Sequence, residues 1–263
     1  MFVVIFVPVS RDTFLQELFT SLELLKCDNN RTSLLIYVDG HDRKLYEKCR
    51  EYSDNSKFSQ KLCVFRKSNK KVPRYSVDVR KFRIAELKNE STEYIANCDY
   101  VFGIEDDTIV PVNALEKLLK NYQLYPNAGF ISGVELGRWG APYVGAWKVD
   151  DIYNTTCLTS QMPTDGIQEV DCAGFYCYLT KYQTYMQHNY EPFMNGLLGP
   201  DTNFGITLRQ EGLKNYVDWS IKCKHYNDGG QAITFDNTQP IELEYKQNEG
   251  GNRFRQNIIR QVI

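Results

Sequence analysis

The sequence predicts an α/β fold with a mostly parallel central sheet covered by helices on both faces, and three observations carry that prediction. Uniformly apolar runs such as Val3–Val9, Leu34–Val38 and Tyr100–Ile104 read as strands buried on both faces. Each is followed by an amphipathic helical pattern, the βα alternation of a parallel sheet. Polar clusters close three of the strands: Pro8-Val9-Ser10-Arg11-Asp12, Asp39-Gly40-His41-Asp42 and Glu105-Asp106-Asp107. In open α/β sheets, ligands bind at such carboxyl ends.

Along the chain, Phe14, Leu18, Leu22 and Leu25 share one helical face after the first strand. The second strand ends at Asp39-Gly40 and leads to a shorter helix with Leu45, Cys49 and Tyr52. Leu62–Phe65 is a third strand, and a polar loop around Pro73 separates it from a helix over Val79–Leu87. The fourth strand, Tyr100–Ile104, runs straight into the acidic triplet. Val112, Leu115, Leu119 and Tyr122 mark a further helix, with Pro111 near its first turn, where a missing N–H does no harm. Gly129–Val134 reads as another strand, whereas Glu135–Gln161 is rich in Gly, Trp and Tyr and has no clear period. Val170–Leu179 reads as one strand, and a helix follows from about Lys181. Asp201–Gln210 is helical, with Phe204 and Leu208 four apart and Gly212 as its C-cap. Lys214–Trp219 is a late strand leading to His225, and a short amphipathic helix with Phe254, Ile258 and Val262 closes the tail. No repeat, low-complexity tract or linker interrupts residues 1–263, so one domain is expected.

With 42% hydrophobic and 13% aromatic residues, the chain is neither disordered nor of low complexity. Its 31 basic and 33 acidic side chains leave a net charge of −2, which argues against a broadly cationic nucleic-acid binder but leaves room for a local basic patch. The 8 cysteines are scattered and none has C-x-x-C spacing; even Cys172 and Cys177, the nearest pair, read as buried free thiols. The opening MFVVIFVPVSRD has too short an apolar run and no basic region before it, so it reads as a first strand rather than a signal peptide or anchor. A cytoplasmic protein without membrane insertion is expected, in the host cytoplasm if viral, and the sequons at Asn30, Asn89 and Asn154 read as chance.

Glu105-Asp106-Asp107 is the strongest single signal. Adjacent carboxylates repel one another, and a divalent cation relieves that repulsion. Hard oxygen donors suit Mg2+ or Mn2+, which keep open positions for substrate phosphates. A solvated acidic turn is the alternative reading.

The acidic motif after a hydrophobic strand, followed by Pro and an amphipathic helix, resembles the metal site of glycosyltransferases of the GT-A (Rossmann-like) fold. The resemblance extends over most of the chain. VVIFVPVSRD is similar to that family's first strand and nucleotide loop, LLIYVDG to its second strand, and VFGIEDDTIVPVNALEKLL to its metal segment. VDCAGFYCYLTKYQ resembles the acceptor-side strand, GPDTNFGITLRQEG the helix that begins with the catalytic acid, and YVDWSIKCKHY the closing strand. Order and spacing resemble the inverting, family 2-like members most.

The resemblance implies a nucleotide-sugar half in 1–110 and an acceptor-binding half in 111–263, with a small acceptor-side β region. It implies Mn2+ or Mg2+ as cofactor, Asp107 and His225 as metal ligands, and Glu105 and Asp106 on the ribose and sugar side of the donor. The family's usual first residue is Asp, and Glu105 departs from it. Asp39 is expected at the nucleobase of a UDP-sugar, with Pro8, Ser10 and Arg11 lining the pocket. Arg80 or Arg83 is expected to pair with the diphosphate, a solvated helix face being the other reading. Outside the resemblance, a lone His such as His225 reads as structural. Asp201 is implied as the general base, or else it is a plain N-cap. The family commonly shows Glu-Asp there, whereas this chain has Pro200-Asp201. Gly174, beside Ala173, resembles a small-residue turn that admits the sugar. Trp139, Trp147, Tyr143 and Tyr153 either form an acceptor rim of flat rings or pack in the core.

Nine basic residues (Lys61, Arg66, Lys67, Lys70, Lys71, Arg74, Arg80, Lys81, Arg83) face one acidic residue, Asp78, between 61 and 83, and a smaller basic run follows in the tail. Such segments are solvated, attract the donor diphosphate, or track a phosphate backbone. The acceptor expected is therefore a glycan, a small molecule or modified DNA, the last as in phage-type enzymes that glycosylate hydroxymethyl-pyrimidines. Two alternatives use the same features: a nucleotidyltransferase with this nucleotide and metal site, and a non-catalytic DNA- or glycan-binding module.

Overall fold

A computed structural model describes residues 1–40, 43–67, 77–137, 143–150, 154–159, 165–192, 198–227 and 230–235. Its first half is the expected βα alternation: β1 (Val3–Val9), α1 (Leu15–Leu24), β2 (Thr32–Gly40), α2 (Arg43–Asn55), β3 (Gln60–Lys67), α3 (Val77–Ser91) and β4 (Tyr100–Ile104). There follow β5 (Thr108–Ile109), α4 (Ala114–Leu124), β6 (Ala128–Val134), β7 (Tyr143–Val149), β8 (Thr155–Thr159), β9 (Ile167–Val170), β10 (Cys172–Ala173) and β11 (Cys177–Lys181). The described chain closes with α5 (Tyr182–Gln187), α6 (Pro200–Gln210), β12 (Lys214–Lys222), β13 (Lys224–Tyr226) and β14 (Ala232–Ile233).

The strands are apolar throughout because both faces of the sheet are covered. In β1 and β2, Ile5, Val7, Leu34 and Ile36 point into a core shared with Leu18 and Leu22 of α1, Cys49 of α2 and Leu115 and Leu118 of α4. Their neighbours Val4, Phe6, Leu35 and Tyr37 point the other way, into a core shared with Ala85 of α3, Tyr185 of α5 and Phe204 and Leu208 of α6. Alternation along a strand and cover on both sides together require an unbroken apolar run.

The main sheet runs β3-β2-β1-β4-β11-β6-β12-β9. The first four strands are parallel, as is β6 with β12, while β11 and β9 run antiparallel to their neighbours. Pro8 lies past the last β1–β4 pair, Phe6 with Gly103, so its missing N–H leaves no gap in that ladder. Two small antiparallel sheets, β10-β7-β8 and β14-β13-β5, complete the fold.

Two expectations are corrected. The single strand over Val170–Leu179 is three strands in different places: β9 at the sheet edge, β10 in a small sheet and β11 at the centre. Asp171 causes the first break, because its carboxylate accepts the Val149 N–H at 2.7 Å and meets Arg209 at 3.3 Å, drawing the chain off the main sheet. The aperiodic stretch after Glu135 contains the β7–β8 hairpin. Glycine hides its period, since a Cβ at Gly145 would stand 2.7 Å from the Tyr176 ring.

All eight cysteines are free, four of them buried and four half-buried. No helix among the described residues is long and apolar enough to cross a membrane. The loop at Pro73, the tail with Phe254, Ile258 and Val262, and Trp139 and Tyr153 lie outside the described residues.

Gly103 sets the distance between β4 and what lies above it. The Tyr178 ring rests on its bare α-carbon, and a Cβ there would fall 2.1 Å from Tyr178 Cε1. Gly103→Ala is expected to destabilise the protein by about 1–3 kcal/mol through overpacking. A lowered urea midpoint with unchanged slope checks this.

Candidate functional site

The acidic triplet leaves the carboxyl end of β4 and is bolted to the end of β1. Asp106, buried, accepts the Ser10 N–H at 2.8 Å and the Ser10 hydroxyl at 3.1 Å. Arg11 donates Nε and Nη2 to Asp106 Oδ1 at 2.9 and 2.8 Å, and Nη2 also to Asp107 Oδ2 at 2.9 Å. Burial works against the Arg11 charge, and Asp106 and Asp107 more than offset it, so the guanidinium stays charged. Two adjacent carboxylates are thus tolerated because a cation from the chain itself bridges them.

His225 reaches the same point through a separate anchor. β13 pairs with β5, setting His225 opposite Thr108, and the Tyr226 N–H donates to the Asp107 carbonyl at 3.0 Å. Both neighbours of His225 are tied to α1: Lys224 Nζ reaches Glu17 at 2.5 Å, and Tyr226 donates to Glu17 and stacks on Phe14 with centroids 4.1 Å apart. His225 is buried, its Nε2 3.5 Å from Asp107 Oδ2 and its Nδ1 3.2 Å from the Leu136 carbonyl. A carbonyl only accepts, so Nδ1 carries a proton, and Nε2 faces Asp107.

Glu135, just past β6, escaped the sequence reading. It is buried, accepts the Thr108 hydroxyl at 3.1 Å and lies 3.7 Å from His225 Nδ1. Burial pushes its carboxyl up to about 8, with His225 opposing and Asp107 and Glu105 adding to the rise. The signal was present: a carboxylate directly after an apolar strand, as at Asp39 and Glu105.

A second cluster sits at the end of β2. Asp39 is fully buried and paired with Arg83 Nε, while Arg66 Nη1 stands 3.9 Å away. Arg66 also meets Glu86 at 2.9 Å and Glu90 at 3.0 Å. Lys61 donates to the carbonyls of Asp54 and Ser56 at 2.8 and 3.0 Å. Part of the basic run is therefore engaged within the fold. Arg80 is half-buried on α3 one turn before Arg83, and residues 68–76 lie outside the described chain.

On the far side, Gly199 is the N-cap of α6, Pro200 follows it, and Asp201 stands in the first turn. Asp201 is thus not the cap residue. Its Oδ1 accepts the Thr202 N–H at 2.9 Å and folds back over Gly199, where a Cβ would meet it at 2.2 Å. Burial raises its carboxyl, opposed by backbone N–H groups and by Lys81 and Lys88. Gly174 donates its N–H to Gly145 at 2.9 Å and must stay bare, because a Cβ would lie 2.7 Å from the Tyr176 ring. Trp147 on β7 is half-buried against Cys172 and Ile206.

Lys88 also escaped the sequence reading. Fully buried on α3, its Nζ lies 3.9 Å from the Phe175 centroid, 4.8 Å from Tyr178, 5.4 Å from Phe6 and 5.8 Å from Tyr190. It donates to Tyr178 Oη at 3.0 Å. Burial lowers its ammonium to about 7, and the charges of Glu105 and Asp201 resist that fall. Its place on the helix was legible: Ile84, Ala85, Lys88 and Ser91 recur at helical spacing on one face.

Solved structures with this architecture include glycosyltransferases. GalNAc-T7, solved with UDP, GalNAc and Mn2+, superposes with a TM-score of 0.64 at 11% identity, over 88% of this chain and 45% of that one. The mannosyltransferase PcManGT of Pyrobaculum calidifontis, solved with GDP-Man and Mn2+, gives 0.55 at 10% identity, over 81% of this chain and 53% of that one. The chain thus spans about half the length of either enzyme. A197 from STIV aligns over 96% of this chain and 100% of its own at 13% identity, with a TM-score of 0.49. No family model and no curated protein sequence matches the chain. The fold is GT-A, a Rossmann-like α/β sheet with helices on both faces.

The charge on Lys88 makes a testable demand on stability. Its folded value of about 7 lies below the ordinary 10.5, so between those limits the unfolded chain binds a proton that the folded one lacks. Stability from this group therefore rises with pH across that window. Relative to Lys88→Met, wild type should gain about 1 kcal/mol per pH unit between pH 7.5 and 9. Denaturant unfolding at a series of pH values checks this, and parallel curves for the two proteins would refute it.

Proposed function

We propose that the protein is a metal-dependent glycosyltransferase that moves a sugar from a nucleotide-sugar, most simply a UDP-sugar, to an acceptor hydroxyl with inversion. One observation carries the reading: Asp107 and His225, far apart in sequence, face each other at the carboxyl end of β4, where Asp107 already pairs with the Arg11 cation. The donor set fits Mn2+ or Mg2+, a carboxylate oxygen with an imidazole lone pair beside it. Asp107 and His225 would be the protein's share of the shell and donor oxygens would complete it; among the described residues no group of three His, Cys, Asp or Glu side chains is placed to hold a cation. When bound, the ion stabilises charge developing on the diphosphate leaving group.

The chain's own residues do the rest. Ser10 and Arg11, anchored on Asp106, line the donor side in the 1–110 half, and a metal held at Asp107 would release Arg11 to pair with the donor phosphates. Glu105 meets the sugar. Asp39 meets the base while held by Arg83, and Arg80 on the same helix supplements the phosphate contacts. From the 111–263 half, Asp201 takes the acceptor proton as the hydroxyl attacks opposite the leaving group. Gly174 and Trp147 border the acceptor. The acceptor tested first is hydroxymethyl-pyrimidine DNA, on the strength of the basic residues between Lys67 and Lys81.

A thermal-shift panel of UDP-, GDP- and dTDP-sugars, with and without Mn2+, should show a metal-dependent shift with one nucleotide class, and no shift with any would sink the donor site. Asp201→Asn should keep that shift but lose roughly 10²–10⁴-fold in transfer. Loss of binding and transfer in parallel would deny Asp201 its role as base. Salt-dependent binding to duplex DNA and transfer to hydroxymethyl-pyrimidine DNA would support the acceptor, and their absence moves it to a glycan or small molecule. Release of pyrophosphate in place of a nucleoside diphosphate would mark a nucleotidyltransferase instead.

A further inference from the structure

A buried carboxyl group costs desolvation, and an apolar side chain of similar size would fill the same space with less of it. Glu135 nonetheless stands just past β6, only 6% exposed, and its two oxygens face different strands. Oε2 accepts the Thr108 hydroxyl of β5 at 3.1 Å, and Oε1 lies 3.7 Å from His225 Nδ1 on β13. Thr108 and His225 are themselves opposite one another in the β5–β13 pair. One side chain therefore spans both strands from outside that pair.

The backbone around Glu135 is fixed on both sides. The Cys223 N–H, two residues before His225, donates to the Val134 carbonyl at 2.8 Å. The Gly145 N–H donates to the Glu135 carbonyl at 2.9 Å, the Gly137 N–H to the Tyr143 carbonyl at 2.8 Å, and Leu136 bridges Val144. Gly145 stays bare beside the side chain, where a Cβ would come within 3.4 Å of Glu135 Cγ. The next carbonyl, that of Leu136, takes the His225 Nδ1–H at 3.2 Å. Residues 135 and 136 thus form a bracket that meets the imidazole and its cross-strand neighbour together.

We propose that Glu135 is a positioning residue of the cation site: it ties Thr108, and with it the turn that carries Asp107, to the same bracket that holds His225, so that the two ligands meet at a fixed separation. The part that concerns metal rests on the reading of Asp107 and His225 given above; the hold on His225 does not. A metal-ligating imidazole is oriented through its other nitrogen, and loss of the outer partners weakens metal binding by about 10–100-fold. Here the Leu136 carbonyl is the hydrogen-bond partner. The Glu135 oxygen at 3.7 Å is too far to replace it and close enough to favour a proton on Nδ1. An oxygen of the acid or of the carboxylate accepts the Thr108 hydroxyl equally well, so the tie to the Asp107 turn does not depend on the charge of Glu135.

Mn2+ binding in the presence of UDP, read from the loss of the free-ion paramagnetic signal, measures the effect. Glu135→Ala should weaken it by about tenfold or more. Thr108→Val removes the same hydrogen bond from the other end and should weaken binding by about two- to tenfold, which keeps the inference testable if Glu135→Ala folds poorly. Adding Thr108→Val to Glu135→Ala should cost little more, because the contact is already gone. Without metal, long-range 1H–15N spectra at one fixed pH report the imidazole itself, and with 3 histidines in the chain His225 is assigned by its absence in His225→Gln. In Glu135→Ala its two nitrogen shifts should move toward the averaged values of a ring exchanging between tautomers. A merely structural Glu135 would lower the melting temperature and leave Mn2+ binding and the nitrogen shifts in place, and that result would overturn the inference. Fully additive losses in the double variant would overturn it as well. Absence of Mn2+ binding in wild type would overturn the metal reading instead, while the nitrogen shifts still decide whether Glu135 holds His225.

Discussion

Arg11 is the interaction on which the site depends. Asp106 and Asp107 leave the same strand end with both carboxylates buried, and without a cation between them their mutual repulsion and desolvation would disrupt the turn. The guanidinium supplies that cation from the neighbouring strand and fixes the β1 loop to the β4 end in one bidentate contact. From this junction the rest follows. Thr108 and Ile109 are presented to β13, β13 delivers His225, and Glu17 of α1 with Phe14 just before it hold β13 in place.

A second constraint is the pairing of buried carboxylates with cations. The acidic turn is balanced by Arg11, and Asp39 by Arg83 and Arg66. Each of these carboxylates therefore has a cation drawn from a different element. The near-zero net charge of the sequence conceals this pairing. Under the proposed function, donor and metal enter a site whose charges are already arranged, so that binding exchanges one cation for another instead of assembling a site from solvent.

The parallel half of the fold was legible in the sequence because β1, β2 and β4 are buried on both faces, which confines polar residues to the strand ends. The acidic triplet, Arg11 and His225 were legible as candidates, although not that Arg11 itself bridges the carboxylates. That pairing is long-range and leaves no local pattern. The stretch from Val170 to Leu179 misled because Asp171 and Gly174 interrupt it without interrupting its apolar character. Lys88 looked like one more basic residue on α3. Its cage comes from Phe6, Phe175, Tyr178 and Tyr190, which only the sheet order brings together, and only its place on the buried stripe of the helix gave it away.

The central claim is that the end of β4 is a divalent-cation site held by Asp107 and His225, with Arg11 in place until a metal and donor arrive. Electron paramagnetic resonance of Mn2+ titrated into the protein with UDP tests it most directly, through the loss of the free-ion signal. Wild type should bind one Mn2+ in the presence of UDP, and Asp107→Asn and His225→Gln should each weaken that binding by at least about tenfold. Equal Mn2+ binding by wild type and both variants, or none by wild type with any nucleoside diphosphate, would contradict the account.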